Sequence, residues 1–349
     1  MFRRPFFAAA AAALFAGSVL TLALVPVPAG AADDTLTLIG SDFPPNVSDV
    51  EDIVAERAGY FAQERLAVTK QFSGSSSNCF QIVASGKGDI CTSSVEAIIL
   101  GYSKGLRLQV FLNRDPRYDY TLAVLSDSPI RHLADFKGAV IGEINLGGIY
   151  ASEIPANAVL SGAGLSKSDY SFAPVGVGAQ ALAAIESKRV AALAFPTLEL
   201  DTMQVAGHVT FRTFPDPRLG DVPNVGFVAT PSTIASKSDL LRRYARAMVK
   251  AFVFIRVNPQ AAARMFLEGS AKKATDDALA TAIAQIEALE PDFPAYDLSD
   301  KRIGYIPVRG MAVYCEYFAT NGLTPDLVPA EALVTNQFGR IRLVCPWIV

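Results

Sequence analysis

With 349 residues, 51% of them hydrophobic and 19% charged, the chain is long enough to bury one large core or two substantial ones, which excludes general disorder. Its net charge of −3, with no block of Lys or Arg interleaved with aromatics, excludes a nucleic-acid binder.

The first element is a leader. Arg3 and Arg4 head an Ala/Leu/Val-rich run over residues 8–25, and Pro26 and Pro28 break it just before Ala29, Gly30 and Ala31. A basic head, an apolar middle and small residues at the cut are what a secretory signal needs, so residues 1–31 are expected to be a signal peptide cleaved near Ala31. A membrane anchor is the competing reading, disfavoured by the alanine richness and the small-residue site. Arg3-Arg4-Pro5-Phe6-Phe7 also has the form of a twin-arginine signal, but any leader head carries such charges, and the general secretory route is the reading adopted. No cysteine precedes Cys79, so no lipid acceptor lies near the cut, and the mature protein is expected to be soluble in a periplasm.

In that oxidising compartment four cysteines matter: Cys79, Cys91, Cys315 and Cys345. Pairing Cys79 with Cys91 and Cys315 with Cys345 is favoured, because each pair is local in the chain. Free buried thiols remain open. No CxxC spacing is present and neither His132 nor His208 lies near a cysteine, so a zinc site is not expected.

Residues 35–40 alternate apolar and polar and read as a first strand ending in a loop at 41–45. Ser48-Asp49-Val50-Glu51 has the form of a capping box, with Ile53, Val54, Ala58 and Phe61 on one helical face. A second strand follows over 67–72, giving a βαβ start and a mostly parallel sheet. A weak internal repeat comes next. Residues 72–94 spell strand end, small-residue loop, short helix, basic turn and strand, and residues 175–197 spell the same. Two such units imply two similar α/β lobes. Residues 120–124 read as a strand leaving the first lobe and 225–229 as the returning one. Leu240, Leu241, Tyr244, Ala245, Met248, Val249 and Phe252 mark a long amphipathic helix ending near Asn258-Pro259. The expected division is lobe 1 from 34–121 and 225–349 and lobe 2 from 122–224, joined by a two-strand hinge.

Residues 55–64, the 72–94 unit, residues 133–142 and the Asn258-Pro259-Gln260 step together resemble the periplasmic binding proteins for taurine, alkanesulfonates, nitrate and thiamine-pyrimidine precursors. The resemblance spans nearly the whole mature chain. It implies a type II periplasmic-binding-protein-like α/β fold, a small-molecule ligand held between closing lobes, and the permease of an ABC importer as partner. No cofactor is implied, and a monomer is expected. The same fold family includes a pyrimidine-forming enzyme of thiamine synthesis, whose cysteine-rich motif is missing here. A sensing subunit uses the same trap and is a further alternative.

In a parallel α/β sheet, ligands meet the C-terminal ends of strands. That rule selects Asp42 and Phe43 in the first loop, Gly74, Ser75, Ser76, Ser77 and Asn78 before a helix expected near Asn78, and Ser93 and Ser94 after the next strand. On the facing lobe it selects Asn145, Gly147, Gly148 and Tyr150, then Phe195 and Thr197. Arg114, with Arg117, is a candidate anion clamp, although exposed pairing with Asp115 and Asp119 is the expected alternative. Glu96 and Glu199, alike in the two units, are candidates for holding an amine instead. No Ser/His/Asp order, HExxH, GxSxG or phosphate loop stands out, and His132 reads as a surface or capping residue. An enzyme is therefore not expected.

Overall fold

Alternation of apolar residues builds the first strand, and its two faces feed two different cores. In β1 (Asp34–Gly40), Leu36 and Leu38 enter one apolar cluster and Ile39 the opposite one. The computed structural model describes residues 34–40, 47–73, 76–115, 118, 120–144, 153–216, 219, 222–270, 273–289 and 303–338. The leader expected at 1–31 and the loops at 41–46 and 145–152 lie outside these residues.

After β1 come α1 (Val50–Arg57), α2 (Tyr60–Gln63), β2 (Leu66–Phe72), α3 (Ser76–Ala84), β3 (Ile90–Ser94), α4 (Val95–Ser103) and β4 (Gln109–Asp115). A second series follows: β5 (Tyr120–Leu125), β6 (Val140–Glu143), α5 (Glu153–Gly162), β7 (Ser171–Pro174), α6 (Ala179–Glu186), β8 (Ala192–Pro196), α7 (Thr197–Gly207) and β9 (Phe211–Phe214). The chain returns through β10 (Val225–Ala229) and ends its described part with α8 (Pro231–Ser236), α9 (Ser238–Val257), α10 (Pro259–Gly269), α11 (Asp276–Leu289) and α12 (Val308–Thr320).

The strands form two five-stranded sheets, ordered β2-β1-β3-β10-β4 and β7-β6-β8-β5-β9. In the first, β1 is parallel to β2 and β3 while β10 is antiparallel to β3 and β4. In the second, β6 is parallel to β7 and β8 while β5 is antiparallel to β8 and β9. The two sheets therefore share one topology. The antiparallel strand of each is the one that follows a crossover from the other, so the second sheet is one continuous stretch of chain while the first is completed by the returning β10. β5 belongs to the second sheet from Tyr120 onward, where Tyr120 pairs with Pro196 and Thr121 with Phe195.

The repeat read in the sequence is this shared topology, with α3 matching α6 and β3 matching β8. Its basic turns have structural jobs. Asp89 accepts the Thr37 amide at 2.9 Å through Oδ2 and the Lys237 ammonium at 2.6 Å through Oδ1, fastening the start of β3 to β1 and to the end of α8. His132 caps the short turn at Leu133–Phe136, and Asp135 closes the box by accepting the His132 amide at 2.9 Å.

The long helix forms as its spacing predicts. Leu241, Tyr244, Ala245, Met248, Phe252 and Ile255 are buried on one face of α9, which packs on α1 and α2. On its outer side Arg246 and Lys250 clasp Glu64 at 2.7 and 2.9 Å. Pro259 ends it, because proline cannot donate the next helical bond and instead opens α10.

The segment before α12 pairs with β4 through Asn113 N–H to the Gly304 carbonyl at 2.9 Å. Gly304 has φ +79°, and a Cβ there would collide with the Leu112 side chain. Gly304→Ala is expected to destabilise the protein by about 2–4 kcal/mol, from left-handed backbone strain plus overpacking. Chemical denaturation of variant and parent side by side checks this, and coinciding midpoints would refute it.

Candidate functional site

Both sheets present the C-terminal ends of their parallel strands to loops and helix N-termini, the edge where an α/β sheet meets a ligand. In the first sheet that edge carries Gly40, Ser73, Ser94 and Asp115. In the second it carries Glu143, Val175 and Pro196. Asp42, Phe43, Gly74, Ser75, Asn145, Gly147, Gly148 and Tyr150 belong to loops outside the described residues.

Ser73, the residue after β2, is bonded to β1 on one side and to α3 on the other. The Ser73 amide and hydroxyl both donate to the Gly40 carbonyl, at 3.0 and 3.1 Å, and the Asn78 side-chain amide donates back to the Ser73 carbonyl at 3.1 Å. α3 starts at Ser76, two residues earlier than expected, so Ser76 and Ser77 are its opening residues and Asn78 is an exposed member of its first turn. Ser94 caps α4 by accepting the Ala97 amide at 3.5 Å, while Ser93 is buried and donates to the Ser94 carbonyl at 3.2 Å.

The disulfide Cys79–Cys91 joins α3 to β3 with Cα atoms 6.0 Å apart, as the sequence suggested. The second expected pair is not formed. Cys315 is a free thiol, fully enclosed on α12 among Tyr314, Phe318 and Met311, and Cys345 lies outside the described residues. Burial pushes the Cys315 thiol up to about 12.

Phe195 is also corrected. It is 0% exposed and packs with Val175, Leu200 and Met203 in the core of the second half, so its side chain offers no exposed surface to a ligand. The reason is the pleat: in β8 Leu193 and Phe195 point to the same inner side. Thr197, one step beyond, is exposed at the start of α7.

Arg114 is not in an exposed pair with its sequence neighbours. It is buried, and its Nε meets Glu51 Oε1. The capping-box pattern predicts Glu51 at a helix start facing solvent, but it is 1% exposed and turned inward. Burial raises the Glu51 carboxyl to about 8, with Arg114 pulling the other way and Asp52 adding to the rise. Burial opposes the Arg114 charge, yet Glu51 and the neighbouring acids raise its pKa further. Beside this pair, Lys70 holds Asp52 at 2.9 Å, and although burial works against its charge, Asp52 and Asp49 keep its pKa above the ordinary value. The two cations are therefore engaged by acids of α1 and the turn before it.

A second buried network was missed. Tyr314 on α12 donates to Glu96 Oε1 at 2.9 Å, and the Tyr118 hydroxyl lies 3.0 Å from that of Tyr314. Burial, then the Glu96 charge, lifts both phenols well above the ordinary tyrosine range. The sequence marks Glu96 as a candidate, but its tyrosine partners are 22 and 218 residues away, and no local pattern connects them. Glu199 takes the equivalent place in α7, half-buried, with its pKa raised by burial. Among the described residues no group of three His, Cys, Asp or Glu is placed to hold a metal ion, and no helix is long and apolar enough to cross a membrane.

The comparisons agree with this architecture. The chain is similar in structure to the alkanesulfonate-binding protein SsuA of Xanthomonas axonopodis pv. citri, bound to MOPS, with TM-score 0.62 and 16% identity over 88% of this chain and 100% of that one. It is similar to the periplasmic aliphatic sulphonate binding protein SsuA of Escherichia coli, with TM-score 0.65 and 15% identity over 85% and 96%. It is also similar to the desulfurization enzyme DszB, with TM-score 0.56 and 17% identity over 86% and 97%, so solute-binding proteins and an enzyme share this fold. A search of curated proteins finds no match. The model of the family described as NMT1/THI5 like matches residues 47–262, well over half of the sequence, and the chain belongs to that family.

Proposed function

We propose that this protein is the solute-binding subunit of an ABC-type importer, taking a small organic molecule or anion between two lobes, 34–121 with 225–349 and 122–224. The observation that carries the reading is the pair of sheets of one topology, each with an antiparallel strand that follows a crossover. Such a pair hinges at its two crossovers, and ligand contacts from both edges favour the closed form. The fold likeness to sulfonate-binding proteins supports this class of function. The reading includes export by the leader at 1–31, action as a monomer in the periplasm, and delivery of the ligand to a membrane permease. Candidate contacts are the Ser73–Asn78 stretch, Ser93, Ser94 and Thr197, with Asp42, Phe43, Asn145, Gly147, Gly148 and Tyr150 in the adjoining loops.

The enzyme reading draws on the likeness to DszB. For the three described cysteines it is weakened as thiol chemistry. Cys79 and Cys91 are bonded, and a thiol lifted to about 12 holds almost no thiolate at neutral pH. A thermal-shift screen of the mature protein against sulfonates, small carboxylates, nitrate and pyrimidines is expected to give a hit of several degrees, since saturation at a hundredfold the Kd contributes about 2.7 kcal/mol. Turnover of a hit without added cofactor would overturn the binding reading.

A further inference from the structure

α12 touches α4, the crossover from β4 to β5 and the first turn of α5. Tyr314 and Tyr317 stand one turn apart on the same face, their rings stacked with centroids 6.1 Å apart. Tyr314 reaches Glu96, two residues beyond Ser94 at the ligand-facing edge of the first sheet. The same hydroxyl meets Tyr118, which lies in the crossover from β4 to β5 and whose ring sits 5.4 Å from that of Tyr120, the first residue of β5. Tyr317 goes further, and its hydroxyl donates to the Ile154 carbonyl at 2.7 Å in the first turn of α5, a helix packed on β5 of the second sheet. The Ile154 side chain in turn packs against the first-half cluster that contains Tyr314, Cys315 and Phe318.

This is more than casual packing. Tyr314 is 0% exposed and Glu96 8%, so a bond lost between them leaves a buried acceptor without its donor. The Tyr317 bond lies on the flank opposite to α11, which packs against both α10 and α7. Among the described residues the C-terminal helices thus reach the second half through α11 and through α12, and α12 also reaches the crossover and α4.

We propose that the Tyr314–Tyr317 face of α12 is the closure latch of the trap: Tyr317 holds the second half through Ile154, and Tyr314 links that contact to Glu96 beside the ligand edge. A ligand that draws α4 or its first turn toward itself then acts on closure through the Glu96, Tyr314 and Tyr118 chain. The proposal rests on the two-lobe reading above.

The test needs no ligand. Val205 on α7 and Val257 at the end of α9 are 72% and 65% exposed, one in each half. Val205→Cys and Val257→Cys, in a Cys345→Ser background, accept nitroxide labels, since Cys79 and Cys91 are bonded and Cys315 is buried. Pulsed dipolar EPR then reads the distance between halves. One short distance should dominate in the labelled parent. Tyr317→Phe keeps the ring and is expected to move the closed-to-open ratio toward open by about three- to tenfold, the value of one hydrogen bond. Tyr314→Phe should act in the same direction although it leaves the Tyr317 hydroxyl in place, and the double variant should fall short of the product of the two. A distance distribution unchanged in Tyr317→Phe overturns the latch, and so does a lowered melting temperature with that distribution unchanged, which would mark packing alone. A latch that responds as expected beside a ligand screen with no hit would sink the solute-binding reading and leave the latch standing.

Discussion

Between pH 5 and pH 8 the protein is expected to lose stability at up to about 1.4 kcal/mol per pH unit, and Glu51→Gln should remove most of that slope. The Glu51 carboxyl titrates near 8 in the folded chain against 4.5 ordinarily. Below about 4.5 both states hold the proton. Through the window up to about 8 the folded state keeps it while the unfolded state has lost it, so unfolding gains on folding as pH rises, and above 8 the two run parallel. Asp115, also lifted by burial, adds a slope of the same sign that the variant retains. Glutamine mimics the protonated carboxyl, so the variant should match the parent near pH 5 and exceed it by a few kcal/mol at pH 8. Glu51→Leu is the contrasting case. It strips Arg114 of its partner, and a buried guanidinium cannot escape by shedding its proton, so a loss of about 3–5 kcal/mol is expected across the whole range. Denaturant titrations at unit pH steps decide the matter. A parent curve flat from pH 5 to 8, or a Glu51→Gln curve parallel to a sloping parent, would falsify this account of the pair.

The other large effect belongs to the Cys79–Cys91 disulfide, whose loss is expected to cost about 3 kcal/mol. The bond closes a loop of sequence separation 12, and chain-entropy arguments give that magnitude for a loop of such length. Both residues are 0% exposed in the cluster behind β3, so the reduced thiols would still be packed, and the cost should fall on the unfolded state. Urea curves for the oxidised protein, the reduced protein and the Cys79→Ala/Cys91→Ala variant should place the last two together at a lower midpoint. If reduction leaves the midpoint where it was, the bond contributes nothing to stability.

Legibility in the sequence followed the range of the interactions. Residues 35–40, 67–72 and 225–229 announced strands because alternation is a property of neighbours, and α9 announced itself because its buried face recurs every third or fourth residue. The Cys79–Cys91 pairing was legible because both cysteines sit in one strand–helix–strand unit. The shared topology of the halves was visible as a repeat, since each copy carries its own loop, helix and turn.

What the sequence by itself determined, then, is the α/β class and the doubled unit. Only the tertiary structure decided which polar side chains are buried together. It turned Glu51 from a helix cap into the buried partner of Arg114, 63 residues on, and enclosed Phe195 in the core. It also left Cys315 unpaired and joined Glu96 to Tyr118 and Tyr314 across the chain. The physical reason is that patterning records which face of an element is apolar. Desolvation and the pairing of buried polar groups depend instead on elements far apart in the sequence, α1 with β4 for Glu51 and Arg114, α4 with α12 for Glu96 and Tyr314, which meet only in the folded chain.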